Sequence, residues 1–429
     1  MSRVWLLVSF VMLPATLLAC GPKRTEVRPL SAPEGATARP IAGDPAQSRP
    51  VAADPTQPPP SAALTSQLPA GPLRGVRRVS TGHAHACALL ADGRVACWGE
   101  NGVGQAGAPI VVDDTRTRPH LVAGLPAAIV EVAAGSFYSC ALDDRGDVWC
   151  WGRPDLGITK STATSVLVGA SGAGTPLRVT DSHAALTGAR SLALSLSGPT
   201  VCAVRADELA CWQTNARREE GRVDLDMRRW PGVEQAVVGR NLRCALVRGA
   251  DGRRIECASG ADAATAVKWP ASAREPVSVS LGTLHLCALD AAGAVLCWRT
   301  AVTPRWWQRP PQVIRGLGGP ALSLAAGGDF ACAAVRDGSV GCFLAEQAGL
   351  EEETIRTAWA APDRDARPIS GVARATAISA GLGRDAFGHG FACAVTEDAT
   401  AVCWGDDESG QLGGEPSPGG GLGVVVTVP

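Results

Sequence analysis

From Val76 onward, short runs of alternating apolar and small or polar residues recur, each broken by a turn that carries Asp or Gly. The clearest copy reads Gly82-His83-Ala84-His85-Ala86-Cys87-Ala88-Leu89, then Asp92-Gly93-Arg94-Val95-Ala96-Cys97-Trp98-Gly99. Period-two alternation predicts two strands, with Cys87, Leu89, Val95 and Cys97 on one face and Trp98 on the other. Residues 91–93 make a three-residue loop, and Gly93 suits the left-handed position of such a turn. With 90 and 94 as the hydrogen-bonded closing pair, Cys87 faces Cys97 at a non-hydrogen-bonded site. There the Cα atoms lie about 4.5 Å apart, within reach of a disulfide.

Fourteen cysteines repeat this arrangement: Cys87 with Cys97, Cys140 with Cys150, Cys202 with Cys211, Cys244 with Cys257, Cys287 with Cys297, Cys332 with Cys342, and Cys393 with Cys403. The separations are 10, 10, 9, 13, 10, 10 and 10, and unequal loops keep the parity. Cys202 and Cys211 enclose Ala206-Asp207, closed by 205 and 208; Cys244 and Cys257 enclose 248–253, closed by 247 and 254. These spacings lack the tight two-to-four separation of zinc sites, and seven equivalent pairs read as seven disulfides in an oxidising compartment. Trp follows the second cysteine at 98, 151, 212, 298 and 404, with Ala258 and Phe343 in the other units. The positions opposite are mostly small: Ala86, Ser139, Val201, Arg243, Leu286, Ala331 and Ala392. A disulfide face backed by a Trp face implies strands buried on both sides, as in a blade between two neighbours.

First cysteines lie 51 residues apart on average, a period expected of propellers. The expected fold is all-β: a seven-bladed β-propeller with one hairpin disulfide per blade, over residues 73–429. The units also resemble the regulator of chromosome condensation repeat. The resemblance rests on Gly82–Leu89, the Asp-Gly turn, Cys97-Trp98-Gly99-Glu100-Asn101-Gly102-Val103-Gly104-Gln105, and the late Cys403-Trp404-Gly405-Asp406-Asp407 with Gly410-Gln411-Leu412-Gly413. It is strong in the first, second and last units and eroded in the third and fourth. The cysteine-bearing form is similar to the repeat of exported bacterial members, and the resemblance implies seven blades. The β-branched run Val424-Val425-Val426-Thr427-Val428 is expected to join the first blade and close the ring.

Composition adds a leader and a tether. Arg3 precedes an apolar stretch, 4–19, too short and Pro-interrupted for a span, ending Leu17-Leu18-Ala19-Cys20. This resembles the lipobox of bacterial lipoproteins, which implies a signal at 1–20 and lipidation (palmitate among the chains) of Cys20. Residues 21–72 hold twelve prolines and few large apolar groups, so they are expected to form a disordered tether. Fully extended, it would reach on the order of 150 Å at about 3.1 Å per residue. Net charge is −1 with no basic stripe, which argues against nucleic acid.

Little in the sequence points to catalysis, a cofactor or a metal. His83 and His85 share a face, but the slot of His85 holds Tyr138, Thr200, Leu242, His285, Phe330 and Phe391 in other units, so it is a packing slot. The pairs Asp113-Asp114, Asp143-Asp144 and Asp406-Asp407 lack an EF-hand-like run, and no nucleophile elbow, phosphate loop or zincin motif occurs. The long departures from the repeat are better places for binding: 101–119, 153–190, 215–230, 299–312 and 345–367. The sharpest is Arg305-Trp306-Trp307 with Arg309, since Trp and Arg are the usual interface anchors. The expected function is a monomeric, lipid-tethered recognition or scaffold module of the cell envelope, facing periplasm or cell surface and binding a protein there. The alternatives are an inhibitor of an extracellular enzyme and a carbohydrate-active or hydrolytic propeller with a channel-mouth site.

Overall fold

Among the described residues, seven antiparallel sheets of four strands each follow one another in chain order, with one further two-stranded pair. The computed structural model describes residues 67–110, 116–152, 174–179, 186–213, 225–300, 305–343, 366–383, 390–414 and 423–429, all within the unit Leu64–Pro429. Residues 1–66, with Cys20 and most of the expected tether, lie outside the described residues, as do Asp113-Asp114 and much of the links 153–190, 215–230 and 345–367. Among the described residues no helix is long and apolar enough to cross a membrane.

Blade 1 comprises Val76–Thr81, His85–Leu90, Val95–Glu100 and Arg116–Leu121. The inner strands of the others are Ile129–Ala134, Ser191–Leu194, Val233–Val238, Pro276–Leu281, Ala321–Ala326 and Ala375–Ala380. The hairpin register is as the alternation predicts. In blade 1 Leu90 N donates to Arg94 O at 2.9 Å and Gly93 has φ +81°, so Cys87 opposes Cys97. The same opposition joins Cys202 to Cys211, Cys244 to Cys257 and Cys287 to Cys297 across their unequal loops. All seven disulfides form at Cα separations of 4.0–4.1 Å. Blade 4 differs from expectation at its tip. Pairing continues through Arg248 with Arg253 and Gly249 with Gly252, because Ala250-Asp251 suffices for the turn; the two added pairs leave the cysteine parity unchanged.

The faces meet around the ring in one direction. The disulfide face of blade 1 (Cys87, Leu89, Val95, Cys97) packs on Ala141 and Trp151 of blade 2. Cys140, Leu142, Val148 and Cys150 meet Val201 and Trp212. Farther round, Cys287, Leu289, Val295 and Cys297 of blade 5 meet Ala331 and Phe343 of blade 6. Finally Cys393, Val395 and Cys403 of blade 7 meet Ala86 and Trp98 of blade 1. Where Ala258 replaces Trp, the seam between blades 3 and 4 is filled by Trp230 from the preceding link, whose Nε1 donates to Glu256 Oε2 at 2.8 Å.

At the hub, backbones approach closely. His83 N donates to Gly135 O at 3.0 Å, Gly328 N to Gly381 O at 3.3 Å and Leu382 N to Gly82 O at 3.1 Å. A Cβ on Gly82 would stand 2.4 Å from Gly135 O, so the repeat needs glycine there. Inner-strand side chains also reach forward to the next blade's N–H groups. Ser80 Oγ accepts from Ala134 N, Glu131 Oε1 from Leu192 N, Gln235 Oε1 from Val279 N, and Ser379 Oγ from Thr81 N.

Ring closure departs from expectation. Val424–Val425 pair with Ala401–Gly405 and complete blade 7, not blade 1; Thr427–Val428 then pair with Gly71–Pro72, ahead of the first blade. Blade 1 already owns an outer strand, Arg116–Leu121, so its edge is taken and the C-terminal run covers the remaining free edge.

Candidate functional site

The Gln-containing links explain what happens where they are missing. After the third strand of blade 1, Asn101 Oδ1 accepts from Ala106 N and Gln105 Oε1 from Val103 N. The folded link then packs Ala106 against the Trp151 face of blade 2, and Gln105 O accepts from Ser139 Oγ at 2.9 Å. After the third strand of blade 7, Gln411 Oε1 accepts from Ser409 N and Leu412 joins the seam with Trp98. Each such link plugs the seam to the following blade.

Blade 4 has no such plug. Its third strand, Gly252–Ser259, reaches the outer strand Thr265–Ala266 through a short turn, fixed by Gly260 N donating to Asn241 O at 3.0 Å and Asp262 N to Ser259 O at 2.9 Å. The seam between blades 4 and 5 is instead covered from the far side. The link of blade 5 turns back as a short 3-10 helix, Trp306–Gln308, and Lys268 N donates to Trp307 O at 2.7 Å. Trp306 is buried among Leu246, Ile255, Leu286 and Trp298. Trp307 stands edge-on to it, with ring centres 5.9 Å apart and planes at 86°, and stays half-exposed.

The covering is incomplete, and a cleft of about 830 Å³ opens on the seam. Its walls carry Trp306, Trp307 and Arg305 from blade 5, Asn241, Ser259, Asp262 and Thr265 from blade 4, and Arg240 and Thr283 beside the hub. Arg305 enters with φ +61° and ψ +36°, a left-handed conformation uncommon for a side-chain-bearing residue. Three of the four expected binding residues therefore line one cleft. Arg309 does not line it; it turns the chain, its carbonyl accepting from Trp298 Nε1 at 3.2 Å. Arg240, Asn241 and Asp262 were not singled out by sequence, although the eroded fourth repeat and its short link were the available signal.

His85 and His285 behave as packing residues. His85 is buried with Nε2 2.9 Å from Ser139 Oγ, and burial, with nearby His83 adding, lowers its pKa to about 3. Burial likewise lowers His285 to about 4, with the hydrogen bond its ring N–H donates to the Phe330 backbone carbonyl opposing. Asp143, of the pair Asp143-Asp144, is engaged locally. Burial would raise its carboxyl, yet N–H groups of Asp147 and Arg145 and the Trp149 indole hold it below the usual range. Among the described residues no three His, Cys, Asp or Glu side chains are placed to hold a metal ion.

Comparison with known proteins agrees with this architecture. Two models of the regulator of chromosome condensation (RCC1) repeat match, one at residues 76–105 and 129–158 and one at 92–142. The chain is 33% identical over 88 residues to RCC1 domain-containing protein RUG3, mitochondrial, of Arabidopsis thaliana, covering 20% of each chain. It is 36% identical over 88 residues to guanine nucleotide exchange factor SRM1 of Saccharomyces cerevisiae, covering 20% of this chain and 18% of that one. The match thus spans about a fifth of these curated relatives. Yeast RCC1 (Prp20), solved bound to Kap60, aligns over 85% of both chains with a TM-score of 0.57 and 16% identity. Prp20p of Saccharomyces cerevisiae, studied for binding to Gsp1p and histones, aligns over 83% of this chain and 87% of that one, with a TM-score of 0.54 and 15% identity. At such identity the likeness is one of fold.

Proposed function

We propose that this chain, an RCC1-like repeat β-propeller, is a protein-recognition and scaffold module that holds its partner at the cleft between blades 4 and 5. The carrying observation is that two neighbouring tryptophans and two arginines border one concave opening at an end of a disulfide-stapled ring. Such a surface is pre-organised, so little ordering cost opposes binding, and its residue types are those of interface anchors. The similar yeast propeller has been solved with Kap60 bound, so a propeller of this fold can take a protein partner. No catalytic step is assigned to His85 or His285, which are buried and held neutral by that burial.

The setting belongs to the same proposal. Seven hairpin disulfides favour an oxidising compartment, and Leu17-Leu18-Ala19-Cys20 supports export with a lipid on Cys20. The proline-rich segment 21–72 would then hold the propeller clear of the membrane, in reach of envelope proteins. Two measurements check this. Labelling of the full chain with an alkyne fatty acid should be lost in Cys20→Ser. A photo-crosslinker placed at Thr265 should capture a partner that one placed at Asp251, past the far end of blade 4, does not. A Cys20→Ser chain that labels equally removes the anchor, and equal capture from both positions removes the cleft.

A further inference from the structure

We infer that the cleft between blades 4 and 5 takes an acidic peptide segment, its carboxylates set between Arg240 and Arg305 and an adjoining apolar side chain against Trp307. This rests on the reading of the chain as a protein-recognition module and names the chemistry of what it recognises.

The charge arrangement carries the argument. The described arginines elsewhere on blades 4 and 7 are matched: Arg243 to Asp226, Arg248 and Arg253 to Glu234, Arg254 to Glu256, Arg374 to Glu397 and Asp398. Arg240 and Arg305 are exposed at the cleft, and among the described residues neither forms an ion pair or a side-chain hydrogen bond. The segment next to Arg305, Ala301-Val302-Thr303-Pro304, brings no acid. Among the described residues Asp262 is the one acid of the lining, against the two guanidiniums of Arg240 and Arg305, so the described lining carries more positive than negative charge. Guanidinium groups bind carboxylates through paired, charge-assisted hydrogen bonds, and the peptide would supply what the propeller withholds.

The aromatic wall sets the second requirement. Trp306 is locked in the seam core and fixes Trp307 edge-on, so the half-exposed ring is a rigid apolar surface rather than a mobile one. At about 830 Å³ the cleft falls within the roughly 300–1,000 Å³ range of sites that enclose a small ligand, enough for a few residues of an extended chain. A neutral glycan could stack on Trp307 but would leave both guanidiniums unmatched. A nucleic acid would need a row of cations, and Asp262 would face its phosphates.

The test selects peptides on the full chain from a display library of random short sequences, then measures affinities of the enriched peptides for variants. Enriched peptides should carry Asp or Glu beside an aliphatic or aromatic residue. Their affinity should fall about tenfold, which is 1.4 kcal/mol, in Arg240→Gln, Arg305→Gln and Trp307→Ala. Asp262→Asn should raise the affinity severalfold, an effect that damage to the fold does not produce. Failure to enrich any peptide, or enrichment of basic or uncharged ones, overturns the inference. Acidic peptides indifferent to all four variants also overturn it while leaving protein recognition elsewhere on the ring. Glycan binding that is lost in Trp307→Ala overturns both.

Discussion

The indole N–H of Trp98 donates to the carbonyl of Gln411 at 2.9 Å, joining residues 313 apart in sequence. The first blade is thereby held by the link that follows the third strand of the last. Around this bond Trp98 packs on Cys393, Val395 and Cys403, so one side chain supplies both burial and direction to the closing seam. Trp98→Phe keeps most of the burial and loses the donor, and should cost about 1 kcal/mol. Trp98→Ala should cost about 3–5 kcal/mol. Denaturant titration of both variants distinguishes the two contributions.

Glu131 gives the fold a pH signature. Burial raises its carboxyl pKa, with the Leu192 N–H and the charge of Arg78 only partly opposing. The native state therefore holds this proton at pH values where the unfolded chain has released it. Stability falls as pH rises from the unfolded value through the raised native one. In blade 4 the corresponding Gln235 both accepts from Val279 N and donates to Val279 O. Glu131→Gln should make the same two bonds, remove that pH dependence, and add about 0.5–1.5 kcal/mol above the window. Thermal unfolding across pH checks the sign; a wild-type curve that rises in that window relative to the variant contradicts it.

The hairpin turns offer a reciprocal pair. Gly93 has φ +81° and a Cβ there would meet Ala128 backbone atoms at 3.2 Å, whereas the blade 7 turn places Ala399 at φ +54°. Gly93→Ala should cost about 1–3 kcal/mol. Ala399→Gly relieves a strain of that order and loses only about 0.4–1 kcal/mol to unfolded-chain entropy, so a gain of about 1 kcal/mol is expected by equilibrium unfolding.

Access should order the reduction of the disulfides. Cys342 is partly exposed, whereas Cys393 and Cys403 are fully buried. Under mild reductant, alkylation and mass mapping should find the bond of Cys332 and Cys342 opened before that of Cys393 and Cys403. Replacing Cys332 and Cys342 together by Ala should cost about 2–3 kcal/mol.

How much of this was legible beforehand follows from what each feature depends on. The facing of Cys87 and Cys97, and the opposition of Ala86 to Trp98, depend only on period two and loop length, which the sequence displays. The tip of blade 4 and the destination of Val424–Val425 depend on which edges other strands leave free, which no local pattern records. Trp230 filling the gap beside Ala258 is a compensation between residues in different blades. The cleft is of the same kind: Arg305, Trp306 and Trp307 stood out by type, but Arg240, Asn241 and Asp262 join them only because the blade 4 link is short and the blade 5 link folds back.

The central claim is that partner recognition is seated on the seam of blades 4 and 5. Its most direct measure is the affinity of the partner captured at Thr265 for three full-length proteins: wild type, a Trp307→Ala and Arg305→Gln double variant, and Asp251→Asn at the far tip of blade 4. The account predicts a loss of at least about tenfold in the double variant with unchanged thermal stability, and no change at Asp251. Equal affinities for all three proteins, or a loss at Asp251 matching that at the cleft, would contradict it.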